Sequence, residues 1–125
     1  MYNEYELALI VTIVKKGWGD EVVKASQKAG AKGGTIVLGR GTGVHEDKRL
    51  FGMLIEPEKE IVLTITESAN ADAMVEAISK DVGLDKPGCG LGFVVSLEKV
   101  FGTAHILCEL HQHCDLYDTG ESDRS

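Results

Sequence analysis

The residues of this chain best suited to chemistry fall in three places. Between a β-branched run and a long polar stretch stands Gly39-Arg40-Gly41-Thr42-Gly43. Glycines let backbone N–H groups approach an anion without Cβ clashes, and successive N–H groups can form a concave nest. Arg40 adds a fixed positive charge. The segment is not a P-loop, which requires Gly-x4-Gly-Lys-Ser/Thr. A hinge with a solvated arginine accounts for the same letters, so the motif alone leaves both readings open. The second place is Gly88-Cys89-Gly90-Leu91, behind Pro87, where three closely spaced glycines (Gly88, Gly90, Gly92) free the backbone. Cys89 reads as a small residue in a tight loop, because no catalytic partner stands nearby in sequence. The third is Cys108, His111, His113 and Cys114 near the C-terminal end. Their softness and number suit Zn²⁺, but the spacing matches no standard zinc module. A disulfide between Cys108 and Cys114, or free thiols in a solvated tail, are the rival readings.

Composition narrows the field. The net charge is −7 and no basic block occurs, which argues against nucleic acid as the partner while leaving room for a small anion in a local pocket. No apolar run approaches the roughly 20 residues that span a bilayer, so no direct membrane insertion is expected. The acidic start MYNEYE lacks the basic opening of a signal peptide, and the expectation is a cytoplasmic protein. Three cysteines at irregular spacing do not form a secreted disulfide scaffold. No Ser-His-Asp set or paired carboxylates stand out, so the chain is not read as an enzyme. At 125 residues it forms one domain with a modest core, which makes oligomerisation a natural source of buried surface.

The elements that must position these residues follow from periodicity. Residues 5–14, YELALIVTIV, are apolar on both faces, as in a strand buried on both sides or at a subunit contact. After KKGWG, Asp20 suits a helix N-cap, and Val22, Val23, Ala25, Ser26 and Ala29 line one side of a short helix that Gly30 ends. Trp18 reads as a packed or interface aromatic. Residues 33–39 form a second strand, and 41–59 a long connection of the kind that is functional or disordered. In EIVLTITE, residues 60–67, Ile61, Leu63 and Ile65 alternate with a more polar face of Val62, Thr64 and Thr66. Asn70 suits the cap of a second helix with a stripe of Met74, Val75, Ile78 and Val82, closed by Gly83. Residues 93–102 complete the set as a fourth strand. This order is an α+β, ferredoxin-like βαββαβ fold, a four-stranded antiparallel sheet with two helices on one face. No helix remains for the other face, so another subunit is its expected cover.

This element order, with GAKGGTIVLGRGTG running into a long loop, EIVLTITE before the second helix, and PGCGLGFVVSLEKV, resembles the PII signal-transduction family over residues 6–104. The resemblance implies a homotrimer that binds an adenine nucleotide (ADP, AMP or ATP) as effector between subunits, with no other cofactor. It implies a PII-like ferredoxin-fold domain over 1–104, a T-loop-like segment at 41–59, and a partly disordered tail at 105–125. The nucleotide or anion site would comprise Lys32, Gly39, Arg40, Gly41, Thr42, Gly43, Ile65, Gly88, Cys89, Gly90 and Leu91. His45, Lys48, Arg49 and Phe51 would contact a target protein, a membrane transporter or an enzyme. Three departures stand out. Leu91 replaces the family's phosphate-contacting lysine, and Gly102 and Ala104 replace its two arginines. Lys32, Arg40, Lys86 and Lys99 are the candidate substitutes, and a preference for AMP or ADP over ATP is expected. From Gly43 to Glu60 there is no Tyr or Ser to modify, unlike the nitrogen-regulatory members. The alternative is a metal-binding or redox-responsive trimer resembling the divalent-ion-tolerance proteins. Some PII-like regulators of bicarbonate transport carry a two-cysteine redox loop to which the tail is loosely similar.

Overall fold

A computed structural model describes residues 6–41, 48–50, 53–55 and 57–102. The chain runs β1 (Leu7–Lys15), α1 (Gly19–Lys28), β2 (Thr35–Arg40), β3 (Lys48–Leu50), β4 (Met53–Ile55), β5 (Glu58–Glu67), α2 (Ser68–Val82) and β6 (Gly90–Ser96). The main sheet has the order β2-β5-β1-β6 with antiparallel neighbours, and both helices pack on one face of it. That is the expected βαββαβ arrangement, with a separate β3–β4 pair inside the long connection.

Period-two geometry sends alternate residues of each strand to opposite faces. Ile10 and Val14 of β1 and Val62 of β5 face the helices, where they meet Val22 and Ala25 of α1 and Met74, Ile78 and Val82 of α2. Thr12 and Thr64 are the buried polar residues of this face, and the Thr64 hydroxyl has no hydrogen-bond partner among the described residues. The other face is built from rows fixed by the register. Val37, Ile61, Ile13 and Leu91 form one row, Thr35, Leu63, Val11 and Phe93 the next, and Ile65, Leu9 and Val95 a third. This face is almost entirely apolar, and among the described residues nothing packs over Val37, Ile65, Leu91, Phe93 or Val95. Phe93 is 47% exposed and Leu91 57%. The side of β5 that looks more polar in sequence is therefore the one beneath the helices.

Two expected caps differ. The N-cap of α1 is Trp18, and the helix begins at Gly19, leaving Asp20 inside its first turn. The end is served instead by Glu60 of β5, whose Oε1 accepts the Gly19 N–H at 2.7 Å. Helix α2 begins at Ser68 after Glu67, two residues before Asn70. The Asn70 side-chain amide donates to the Ala29 carbonyl at 3.1 Å, so it closes the C-terminal end of α1. Gly83 ends α2 in the left-handed conformation, as expected. Trp18 is 48% exposed among the described residues.

The fourth main strand also shifts: it starts at Gly90 and stops at Ser96. Its partner β1 begins at Leu7, and the Leu97 N–H to Leu7 carbonyl bond is the last that β1 can offer. Beyond it the chain leaves the sheet.

Candidate functional site

The two glycine-rich junctions lie at the same end of the sheet, on its opposite edge strands. Arg40 ends β2 opposite Glu58, and Gly90 starts β6 opposite Val14. Between them stand the last residues of β1 and the first of β5.

The junctions have different backbones. Gly39 and Arg40 are part of the β2–β5 ladder, and the Gly41 N–H donates to the Pro57 carbonyl at 3.2 Å. None of the three has a left-handed φ, and a Cβ at Gly41 would meet nothing within 4 Å. This stretch is therefore extended strand. A nest needs left-handed residues and unspent N–H groups, so residues 39–41 do not form one. They tie the base of the long connection instead. Thr42, Gly43, His45 and Phe51 lie outside the described residues. Lys48 and Arg49 are in β3, whose backbone pairs Lys48 with Ile55 and Arg49 with Leu54.

The second junction has the left-handed glycines that the first lacks. The Lys86 N–H donates to the Gly83 carbonyl at 3.1 Å and the Cys89 N–H to the Lys86 carbonyl at 3.3 Å, winding the chain into consecutive turns. Gly88 has φ +80° and Gly90 φ +136°. A Cβ at Gly90 would stand 2.5 Å from the Ile13 carbonyl oxygen and 3.1 Å from Leu84, so glycine is required there. Cys89 is a half-buried free thiol at the turn. Leu91 leaves the turn on the uncovered sheet face, beside Ile13. A groove of about 340 Å³ runs between α2 and β6 where Gly90 and Gly92 present no side chain.

The other expected contacts, Lys32 and Ile65, are at the far end of the sheet. Both line a cavity of about 860 Å³ with Thr35, Leu63, Leu9 and Asn70. From Thr35 to Arg40 the strand covers about 17 Å at 3.3 Å per residue. Within one protomer the expected site is thus split into two halves. Leu9, Leu63 and Asn70 were not assigned to the site from the sequence. The ladder register, which sets Leu9 opposite Ile65, brings the two leucines to the cavity, and the bond to the Ala29 carbonyl holds Asn70 there. Cys108, His111, His113 and Cys114 lie outside the described residues, as does Ala104. Among the described residues no helix is long and apolar enough to cross a membrane.

No curated protein matches the chain. Among solved structures it resembles PII of Arabidopsis thaliana bound to citrate, with a TM-score of 0.58 and 18% identity over 74% of this chain and 78% of that one. That likeness carries the fold. The family model for nitrogen regulatory protein P-II matches residues 7–103, which takes in both helices, all four strands of the main sheet and both glycine junctions. The chain belongs to the nitrogen regulatory protein P-II family.

Proposed function

We infer that this protein is a regulatory ligand-binding trimer whose effector site forms only between copies of the chain. The observation that carries this is the split site. Arg40 and the 88–91 turn stand at one end of the sheet and the cavity of Lys32 and Ile65 at the other, flanking an apolar face that the described residues leave uncovered. A neighbouring copy laid against that face covers the apolar rows and brings its own far end to the first copy's glycine turn. The two edges of the sheet support a ring. Strands β2 and β6 are both exposed along almost their whole length and differ in sequence. A contact between unlike edges is head-to-tail, and such contacts close into a cyclic assembly when the rotation between copies permits.

In this reading an adenine nucleotide or small anion sits in each cleft. Residues 88–91 and Arg40 belong to one copy, and Lys32 and Ile65 to the next. Occupancy changes the order of the 41–59 connection, which binds or releases a target protein, a transporter or an enzyme. Such a switch requires the ligand to prefer one state of that connection. The protein acts in the cytoplasm and performs no catalysis. The domain covers 1–104, with 105–125 as a tail. Leu91 and Gly102 supply no cation where the family has one, so each added phosphate brings desolvation with little compensating charge. AMP and ADP should bind at least as well as ATP. The citrate bound by the Arabidopsis protein keeps a small carboxylate within the ligand class considered.

Light scattering with calorimetric titration of ATP, ADP, AMP, cyclic AMP and bicarbonate tests this. The expected result is a trimer with one site per subunit. A monomer of 13.5 kDa that binds a nucleotide unaided would refute the split-site reading.

A further inference from the structure

Among the described residues the most exposed large apolar side chain is not on the sheet. Phe101 stands past the far end of β6 and is 82% exposed. The chain turns directly after it at Gly102, whose φ is +73°. A space without a side chain lies toward the other end of the same strand. Period-two geometry puts Gly90, Gly92 and Val94 on the helix side of β6, level with Val14, Thr12 and Ile10 of β1. Two of those three positions carry no side chain, and there the groove of about 340 Å³ opens between β6 and α2. Ile78, Leu84, Val94 and the buried Thr12 are among its lining, and of the residues that line it only Asp85 is charged. Phe101 does not line the groove of its own copy.

We propose that Phe101 of one copy inserts into the α2–β6 groove of the next, so that the partner of this groove is a second copy of the chain. The inference rests on the trimer inferred above, in which the far end of one copy comes to the glycine turn of its neighbour. The groove borders that turn, since Gly90 and Leu91 belong to both. Phe101 belongs to the far end, where the Leu97 N–H bonds the Leu7 carbonyl at 3.1 Å. Insertion therefore continues the contact already assigned to the uncovered sheet face. Buried area divides the work between them. An aromatic side chain buries about 150–250 Å², and a stable interface takes about 800 Å² from each partner. The sheet face supplies most of that area, and the ring is an anchor held in a pocket, the arrangement in which one aromatic residue carries a large share of the affinity. Apolar walls match an apolar ring, and no ion pair is needed to hold it.

The test follows dissociation of the full chain on dilution by light scattering. Phe101→Ala should dissociate at a concentration at least about tenfold higher than the native chain, with an unchanged far-UV circular dichroism spectrum. Phe101→Leu keeps an apolar side chain in the groove and should stay within about threefold. The position of the ring is read separately. With the photo-reactive p-benzoylphenylalanine in place of Phe101, irradiation of a mixture of isotope-labelled and unlabelled chains should join residue 101 of one copy to residues 78–94 of another, as mapped by mass spectrometry. A native trimer from which Phe101→Ala dissociates no more readily overturns the insertion and leaves the trimer standing. So does a trimer whose cross-links fall outside 78–94, stay within one chain or do not form. A native chain that is monomeric overturns the trimer and the insertion together.

Discussion

The two glycine-rich junctions look alike as letters and differ as structures. Gly39 and Gly41 lack left-handed φ, with the Gly41 N–H spent on the Pro57 carbonyl; a Cβ at Gly41 would meet open space and one at Gly39 only ordinary contact with the Ile61 side chain at 3.4 Å. Gly88 and Gly90 have φ of +80° and +136°, and Gly90 lies against the Ile13 carbonyl. The first junction tolerates a side chain and the second forbids one. A glycine can be present for the room it leaves to a ligand or for the backbone it permits. Only the second demand is visible in a protein without its ligand. Glycine at 39 and 41 is thus not explained by the protomer's own packing, which directs attention to what approaches it from outside.

The sharpest way to break this contrast is Gly90→Ala. The new methyl meets the Ile13 carbonyl at 2.5 Å on backbone that disfavours L-residues. Strain and overpacking together should cost about 3 kcal/mol or more in urea unfolding. A loss below about 1 kcal/mol would mean that the turn relaxes and that the two junctions are not different in kind. Gly88→Ala has the same conformational problem without the collision, since nothing lies within 4 Å of its Cβ. About 1–2 kcal/mol is expected from the left-handed backbone alone. Glu60→Ala probes the end of the sheet near the first junction. Removing the carboxylate that caps α1 should cost about 1 kcal/mol, with Gln in its place recovering part of the loss.

The element order was legible because it rests on local periodicity: two for the strands, 3.6 for the helices, with Gly30 and Gly83 closing the latter. The cap of α1 was not, because its carboxylate arrives from Glu60, 41 residues away in sequence. Asp20 and Asn70 are good cap residues by type, but tertiary partners decided otherwise. In β5 the alternation defines two faces without saying which one meets the helices. Val62 and Thr64 are buried while the more apolar Ile65 is 38% exposed, so the more apolar face is the one that the described residues leave uncovered. The candidate site was named from the sequence as residue types alone. Its division between the two ends of the sheet depends on the pairing of β2 with β5 and of β1 with β5, which no local pattern records.

The smallest expected effect on stability decides most about the ligand. Gly41→Val puts a β-branched residue into extended chain at an open position, where such residues fit well. Unfolding in urea should change by no more than about 0.5 kcal/mol. Binding separates the two uses of glycine. If the ligand's charged end rests on the 88–91 turn, the variant should bind AMP or ADP within about threefold of the native protein. If the anion comes close to the backbone at 39–43, the isopropyl group stands in its way and affinity should fall at least about tenfold. Arg40→Ala completes the comparison, since it removes charge and leaves the backbone as it was. A charge-assisted contact is worth roughly 1.5–3 kcal/mol, so a ligand that touches the Arg40 guanidinium should lose about tenfold or more in calorimetry, with the trimer intact by light scattering. Loss in Arg40→Ala with retention in Gly41→Val would make the first junction a carrier of one side chain. Loss in both would make it the cradle that its letters suggest.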